Sequence, residues 1–197
     1  MVHNVGHPDA DRRLWLGAAT AAGGAGLVAT AVPFVASLAP SERARALGAP
    51  VDVDVGGLRP GELRTVEWRG KPVFVLRRTP EMIDALAQHD ALLADPQSRR
   101  SEQPEAARND LRSSRRDLVV IEAVCTHLGC VPSFRPTPGS PDIDAQWPGG
   151  FFCPCHGSKF DLAGRVFKNV PAPTNLTVPP HRYLSETMLL IGADPAA

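Results

Sequence analysis

An excess of charge of either sign is missing from this chain: Lys+Arg and Asp+Glu each total 21 in 197 residues, for a formal net charge of zero. Without a basic field to hold phosphates, the electrostatic footprint of a nucleic-acid-binding protein is absent, and no nucleic acid is expected as a partner. Aromatic residues are scarce at 6%, with a single tyrosine, against 17 glycines and 20 prolines. That balance excludes a body of long soluble helices and favours many turns. Four cysteines are too few to staple a chain of this size. No internal repeat is evident, so a solenoid is excluded. A hydrophobic content of 43% excludes a disordered tail.

Charge is also absent locally. Residues 14–40 contain no Asp, Glu, Lys or Arg, and LWLGAATAAGGAGLVATAVPFVASL covers residues 14–38. At ~1.5 Å per residue this run crosses a ~30 Å hydrocarbon core as one helix, with Pro33 expected to kink or end it. Gly23, Gly24 and Gly26 permit a neighbouring helix to approach closely. Arg12 and Arg13 precede the run and predict a cytoplasmic segment 1–13, although Arg43 and Arg45 after it weaken the bias. Residues 11–16, DRRLWL, also resemble a twin-arginine export signal. A removable signal peptide competes, with Ser37-Leu38-Ala39 as a small-residue cleavage site, but the run exceeds the usual signal core and a retained anchor is expected.

Residues 39–50, bounded by Pro40 and Pro50, read as a flexible hinge linker, and 51–197 as the exported domain. Alternating Val51, Val53 and Val55, then 62–68 and 73–76 across the turn Arg69-Gly70-Lys71-Pro72, predict three short strands. Thr79 as N-cap and Pro80 at the first helical position start a helix, with Met82, Ile83, Leu86, Leu92 and Leu93 along one face. His89 on it reads as a surface or packing residue rather than a ligand. The charged stretch 95–117 reads as a solvated excursion. Residues 118–124 form an apolar β-branched strand that delivers Cys125 to a loop, and further short strands end with Met188–Ile191. The expected fold is all-β, of small antiparallel sheets, with one helical insertion and an N-terminal transmembrane helix.

All four cysteines and two of the six histidines fall in two segments, Cys125-Thr126-His127-Leu128-Gly129-Cys130 and Cys153-Pro154-Cys155-His156-Gly157-Ser158. Six soft or borderline donors stand where a four-ligand site needs four. In an oxidising compartment two spare thiols pair, so one cysteine of each loop ligating and one of each loop bridged is the economical arrangement. A structural Cys2His2 zinc site is the competing reading, although Cys-x-His is tighter than zinc-finger spacing; two unrelated disulfides are another.

The order of these residues resembles the Rieske iron-sulfur protein family. The resemblance implies one two-iron, two-sulfur cluster held by Cys125 and Cys153 on one iron and His127 and His156 on the other, with Cys130 and Cys155 joined as a disulfide. Imidazole ligation lifts the potential to about −150 to +300 mV and couples electron uptake to proton uptake. With its spare cysteine pair and membrane anchor, the chain resembles the branch of iron-sulfur subunits of bacterial ubiquinol-cytochrome c reductase, respiratory complex III. That branch implies ubiquinol as donor, His156 as the residue that bonds the quinol and takes its proton, and a c-type cytochrome subunit as acceptor. It further implies a cytochrome b subunit against the anchor, a dimeric complex, and a single-pass protein of the bacterial inner membrane with its Rieske domain in the periplasm. A membrane-tethered electron-transfer protein serving another periplasmic oxidase is the alternative, and a zinc-stabilised adhesion or assembly domain a third.

By the same resemblance, Val170-Pro171-Ala172-Pro173-Thr174-Asn175-Leu176 is the proline loop, a stiff third wall, with Val170 where the family commonly has Gly. Ser158 matches the serine that donates toward a bridging sulfide. Phe160 stands where the family often has a tyrosine donating to a ligand thiolate, so a potential in the lower part of the range is expected. Leu128 is expected to shield the cluster and shape the quinol contact, or to be a plain core residue. His3, His7 and His181 read as bystanders.

Overall fold

The computed structural model of the chain describes residues 9–193. His3, His7 and residues 1–8 of the expected cytoplasmic segment lie outside the described residues. The chain divides into two compact units, Met1–Ala46 and Leu47–Ala197.

In the first unit, helix α1 spans Ala10–Ser37, long and apolar enough to cross a membrane, with no residue of it buried in the chain. It continues through Pro33 instead of ending there. The proline lies one turn from the C-terminus, so its missing N–H removes a single ladder bond. Inside the expected linker, Glu42–Leu47 forms a short helix, α2, with the Ala44 N–H donating to Ser41 Oγ.

The second unit is built from three antiparallel sheets of three strands each. The first contains β1 (Val51–Asp54), β8 (His181–Tyr183) and β9 (Met188–Ile191), in the order β1-β9-β8. Val51 pairs with Ile191, so the first and last strands of the unit lie side by side. The second sheet contains β2 (Leu63–Trp68), β3 (Lys71–Arg77) and β4 (Leu118–Glu122). Arg69 and Gly70 close the β2–β3 hairpin with φ of 53° and 71°, the pair of left-handed residues that a two-residue turn requires. The third, β5 (Ser133–Arg135), β6 (Gly150–Cys153) and β7 (Ser158–Phe160), carries the cysteine-rich loops.

The middle sheet is covered on both faces. Val73, Val75, Leu118 and Val120 point into a core shared with Val53, Leu189 and Ile191 of the first sheet. The alternate residues Phe74, Leu76, Val119 and Ile121 point into a second core with Cys125 and with Phe151, Cys153 and Phe160 of the third. Double burial explains why 118–121 is continuously apolar rather than alternating. A small third core of Leu93, Trp147 and Phe167 closes the far side.

Helix α3 (Pro80–Leu86) begins as expected: the Met82 N–H donates to Thr79 Oγ1 and Pro80 occupies the first turn. It does not extend as one helix to Leu93. A 3-10 segment, Ala87–Leu92, follows with His89 out of helical geometry, which leaves Leu92 exposed while Leu86 and Leu93 are buried. His89 is a packing residue, buried and stacked on Phe167 with ring centroids 5.8 Å apart.

The stretch 95–117 is not a solvated excursion. Asp95, Ser98, Ala107, Arg112 and Ser113 are buried. The fully buried Arg112 guanidinium donates to the carbonyls of Ala163 and Gly164 and to Gln103 Oε1. Backbone carbonyls distant in sequence satisfy a charge that composition alone assigns to water.

Candidate metal centre

Two loops of the same design hold the cysteines and histidines together. The first leaves β4 after Glu122, and the second joins β6 to β7. In each, the leading cysteine carbonyl accepts the N–H of a glycine four residues on: Gly129 to Cys125 and Gly157 to Cys153, both 2.9 Å. Both glycines have left-handed φ, 84° and 76°, which a residue with a Cβ rarely adopts. The Cys125 N–H also donates to the Cys130 carbonyl, closing the first loop.

Cys130 and Cys155 form a disulfide between the loops, with Cα atoms 6.7 Å apart. Cys125 and Cys153 are free and buried. The sulfurs of Cys130, Cys153 and Cys155 all lie within 4.8 Å of one another, but two of them are bonded together, so this trio offers a metal only Cys153. Cys125 and Cys153 are left as the unbridged thiols, beside two imidazoles. The His127 and His156 rings stand perpendicular with centroids 4.8 Å apart. His127 Nδ1 is buried and has no hydrogen-bond partner among the described residues. Burial pushes the Cys153 thiol above its ordinary value, as does the thiol of Cys125 beside it, while backbone N–H groups of Cys155 and His156 pull it the other way. Two buried unbridged thiols, an orphaned imidazole nitrogen and a second imidazole next to it fit a cofactor with two sulfur-ligated and two nitrogen-ligated positions.

Exposure divides the donors. Cys125 and Cys153 are buried and His127 is half-buried, whereas His156 is exposed. Leu128 is 71% exposed and Val131 52%, so Leu128 is no core leucine; it stands at the tip. Ser158 is fully buried, and its Oγ accepts the Ala172 N–H at 3.1 Å. The proline loop is tied to the first loop as well, through Thr126 Oγ1 donating to the Thr174 carbonyl at 2.7 Å. Position 170 lacks the family glycine, and the left-handed residue of the loop is its predecessor, Asn169, with φ 58°. His181 is buried and Nδ1 lies 2.9 Å from the Pro179 carbonyl, away from the donors in sequence and sheet.

Sequence reasoning gave no role to Thr126 or Asn175. Thr126 lies between Cys125 and His127, which is the one local signal that was available. Nothing local marks Asn175, whose partners other than Val166 lie 74–80 residues away.

The donor set and its two-loop mounting define a protein of the Rieske type, and a sequence profile of the Rieske [2Fe-2S] domain matches residues 97–180. The chain is 53% identical over 183 residues to the ubiquinol-cytochrome c reductase iron-sulfur subunit of Allochromatium vinosum, covering 93% of this chain and 88% of that protein. It is 42% identical over 187 residues to the subunit of the same name from Blastochloris viridis, covering 94% of each. Among solved structures, a chain of a hyperthermophilic respiratory Complex III is 29% identical, with a TM-score of 0.45 over 90% of this chain and 98% of that one. The chain belongs to the family of ubiquinol-cytochrome c reductase iron-sulfur subunits, whose cofactor is one Rieske two-iron, two-sulfur cluster.

Proposed function

We propose that this chain works as the iron-sulfur subunit of a membrane-bound, multi-subunit ubiquinol-cytochrome c reductase, serving electron flow from ubiquinol to a c-type cytochrome subunit. The observation that carries this reading is the convergence of Cys125, Cys153, His127 and His156 from two loops, with His156 alone of the four exposed.

In this reading Cys125 and Cys153 hold one iron and His127 and His156 the other. When bound, the cluster supplies a one-electron acceptor at about −150 to +300 mV, because neutral imidazoles replace two thiolates on one iron. The protein's own residues do the rest. His156 presents its outward ring nitrogen to the quinol hydroxyl and takes the proton there. Leu128 and Val131, exposed and apolar, exclude water from the contact. The Cys130–Cys155 disulfide holds the loops in register, and Ser158 donates its hydroxyl hydrogen toward the cluster.

A cytochrome b subunit supplies the quinol pocket and packs against α1 through Gly23, Gly24 and Gly26. Arg12 and Arg13 keep the N-terminus in the cytoplasm and send residues 51–197 into the periplasm, on the outer face of a bacterial inner membrane. Segment 39–50 is the hinge on which the domain moves between quinol and cytochrome, and the complex is a dimer.

The test is low-temperature EPR on ascorbate-reduced membranes, with and without a quinol-site inhibitor. A rhombic Rieske spectrum whose shape changes with inhibitor is expected. A spectrum indifferent to inhibitor, with no cytochrome b co-purifying, assigns the chain to a different oxidase. A silent spectrum in intact protein overturns the cluster. Cys125→Ser and His156→Ala are expected to abolish the signal, and Cys130→Ser to weaken it with the ligand set unchanged.

A further inference from the structure

The proline loop touches both cysteine-rich loops, and something must hold it there. Its inner contacts are Thr126 Oγ1 to the Thr174 carbonyl and the Ala172 N–H to Ser158 Oγ. Its outer end is Asn175, 1% exposed. The Asn175 amide is spent on three bonds: Oδ1 accepts from the Val166 N–H at 2.8 Å, and Nδ2 donates to the Asp95 carbonyl at 3.0 Å and to Ser98 Oγ at 2.9 Å. The Asn175 N–H donates in turn to Ser101 Oγ at 3.2 Å. All three partners beyond Val166 belong to the turn 95–101.

That turn has a fixed shape. The Asp95 carboxylate accepts from the N–H groups of Arg99 and Arg100, at 2.9 and 3.0 Å, and from Ser101 Oγ at 2.8 Å. Ser98 is fully buried with φ 51°, and the Val178 N–H donates to the Glu102 carbonyl just beyond the turn. Between Asn175 and Ala172 the loop contains Pro173, and Pro171 lies just before Ala172. Prolines fix φ, so a shift of Asn175 is passed along the loop instead of being absorbed by it.

A serine hydroxyl has one hydrogen and two lone pairs. The Ala172 N–H occupies one lone pair of Ser158, which turns the hydroxyl hydrogen away from the proline loop. We propose that Asn175, gripped by the turn 95–101, is a positioning residue for the cluster: through Ala172 it holds the Ser158 hydroxyl in its donating orientation. The proposal rests on the reading of Ser158 as a cluster donor. Donation to cluster sulfur favours the reduced form and raises the potential, so a loosened Asn175 lowers it.

The test compares Asn175→Ala and the milder Ser101→Ala in the full chain, both neutral changes that add no charge near the iron. Iron content, the midpoint potential from a redox titration followed by EPR, and hydrogen exchange at the Ala172 amide are measured. Expected are full iron content in Ser101→Ala, a lower potential and faster Ala172 exchange in both variants, and the larger change in Asn175→Ala. Ser158→Ala is expected to lower the potential by itself and to abolish any further shift from Ser101→Ala when the two are combined. An unmoved potential in Ser101→Ala with iron retained, or a shift that persists in the Ser158→Ala background, overturns the proposal. A potential unmoved by Ser158→Ala removes the donor role and the proposal with it, while leaving the ligands intact. Absence of a Rieske signal from the unaltered protein is failure of the ligand reading, seen before any variant is compared.

Discussion

Phe160 is fully buried in the core that also contains Cys125 and Cys153, at a position where the family often carries tyrosine. A hydrogen bond to a charged acceptor contributes ~1.5–3 kcal/mol, and if a third of it differs between redox states the potential moves by about 20–40 mV. Phe160→Tyr is therefore expected to raise the midpoint potential by that amount, read by protein-film voltammetry; no rise, or a fall, removes this account of tuning. The next residue, Asp161, is wholly buried and accepts from Arg165 Nε at 2.7 Å, with His89 Nε2 at 3.4 Å. Burial alone pushes its carboxyl up; the His89 hydrogen bond and the Arg165 charge and hydrogen bonds outweigh this and hold it below the usual 3.8. A folded-state pKa below the unfolded one means that the stabilisation is complete above about pH 5 and is lost as pH falls below 3.8 through the folded value. Asp161→Asn leaves the buried Arg165 guanidinium with only the half-exposed Asp90 carboxylate, 2.8 Å from Nη1, as counter-charge and is expected to cost about 2–4 kcal/mol at pH 7. Denaturant midpoints at pH 7 and pH 3 check this, since the gap between the two proteins should narrow at the lower pH. The four candidate ligands, Cys125, His127, Cys153 and His156, could be picked out from the sequence because each loop is a contiguous hexapeptide. Asp161, Arg165 and Arg112 were not, because their partners include carbonyls and side chains up to about 80 residues distant.

Elements were readable where local chemistry decides them and misread where tertiary contacts do. The β2–β3 turn and the start of α3 are local: two left-handed residues at Arg69-Gly70, and a threonine cap followed by proline. Thr79→Ala removes the acceptor of the Met82 N–H and is expected to lower stability by ~0.5–2 kcal/mol, measured by thermal or urea denaturation, with the EPR spectrum unchanged because α3 supplies no ligand. The end of that helix was not local. Apolar spacing carried it to Leu93, but His89 leaves helical geometry to lie beside Asp161 and Phe167, and Leu92 turns out to solvent. The stretch 95–117 misled in the same way. Its charges read as solvated, yet the Asp95 turn and Arg112 are structural parts of the cluster-bearing half. Burial holds the Asp95 carboxyl up less than the hydrogen bonds from Arg100 N–H, Ser101 and Arg99 N–H hold it down, so it stays charged and keeps the turn's amides paired.

At the scale of the molecule, two units meet at 46–47, within the stretch 39–50 that separates a membrane-length helix from the layered domain. The domain's own ends, β1 and β9, are paired to each other. Its cores are drawn from residues 53–191. Cleavage within 39–50 is therefore expected to release a water-soluble fragment that keeps all four ligands, the disulfide and the proline-loop clamp. Its EPR spectrum and midpoint potential should match those of the intact chain without inhibitor. What cleavage removes is tethering: a domain held near its partners by a short linker meets them at an effective concentration in the millimolar range, and a free one at its bulk concentration. Quinol-dependent cytochrome c reduction by the membranes should then collapse, and return in part when the fragment is added back at high concentration. A fragment with an altered cluster spectrum would show that the anchor shapes the site, and undiminished turnover after complete cleavage would show that tethering is not what the anchor provides.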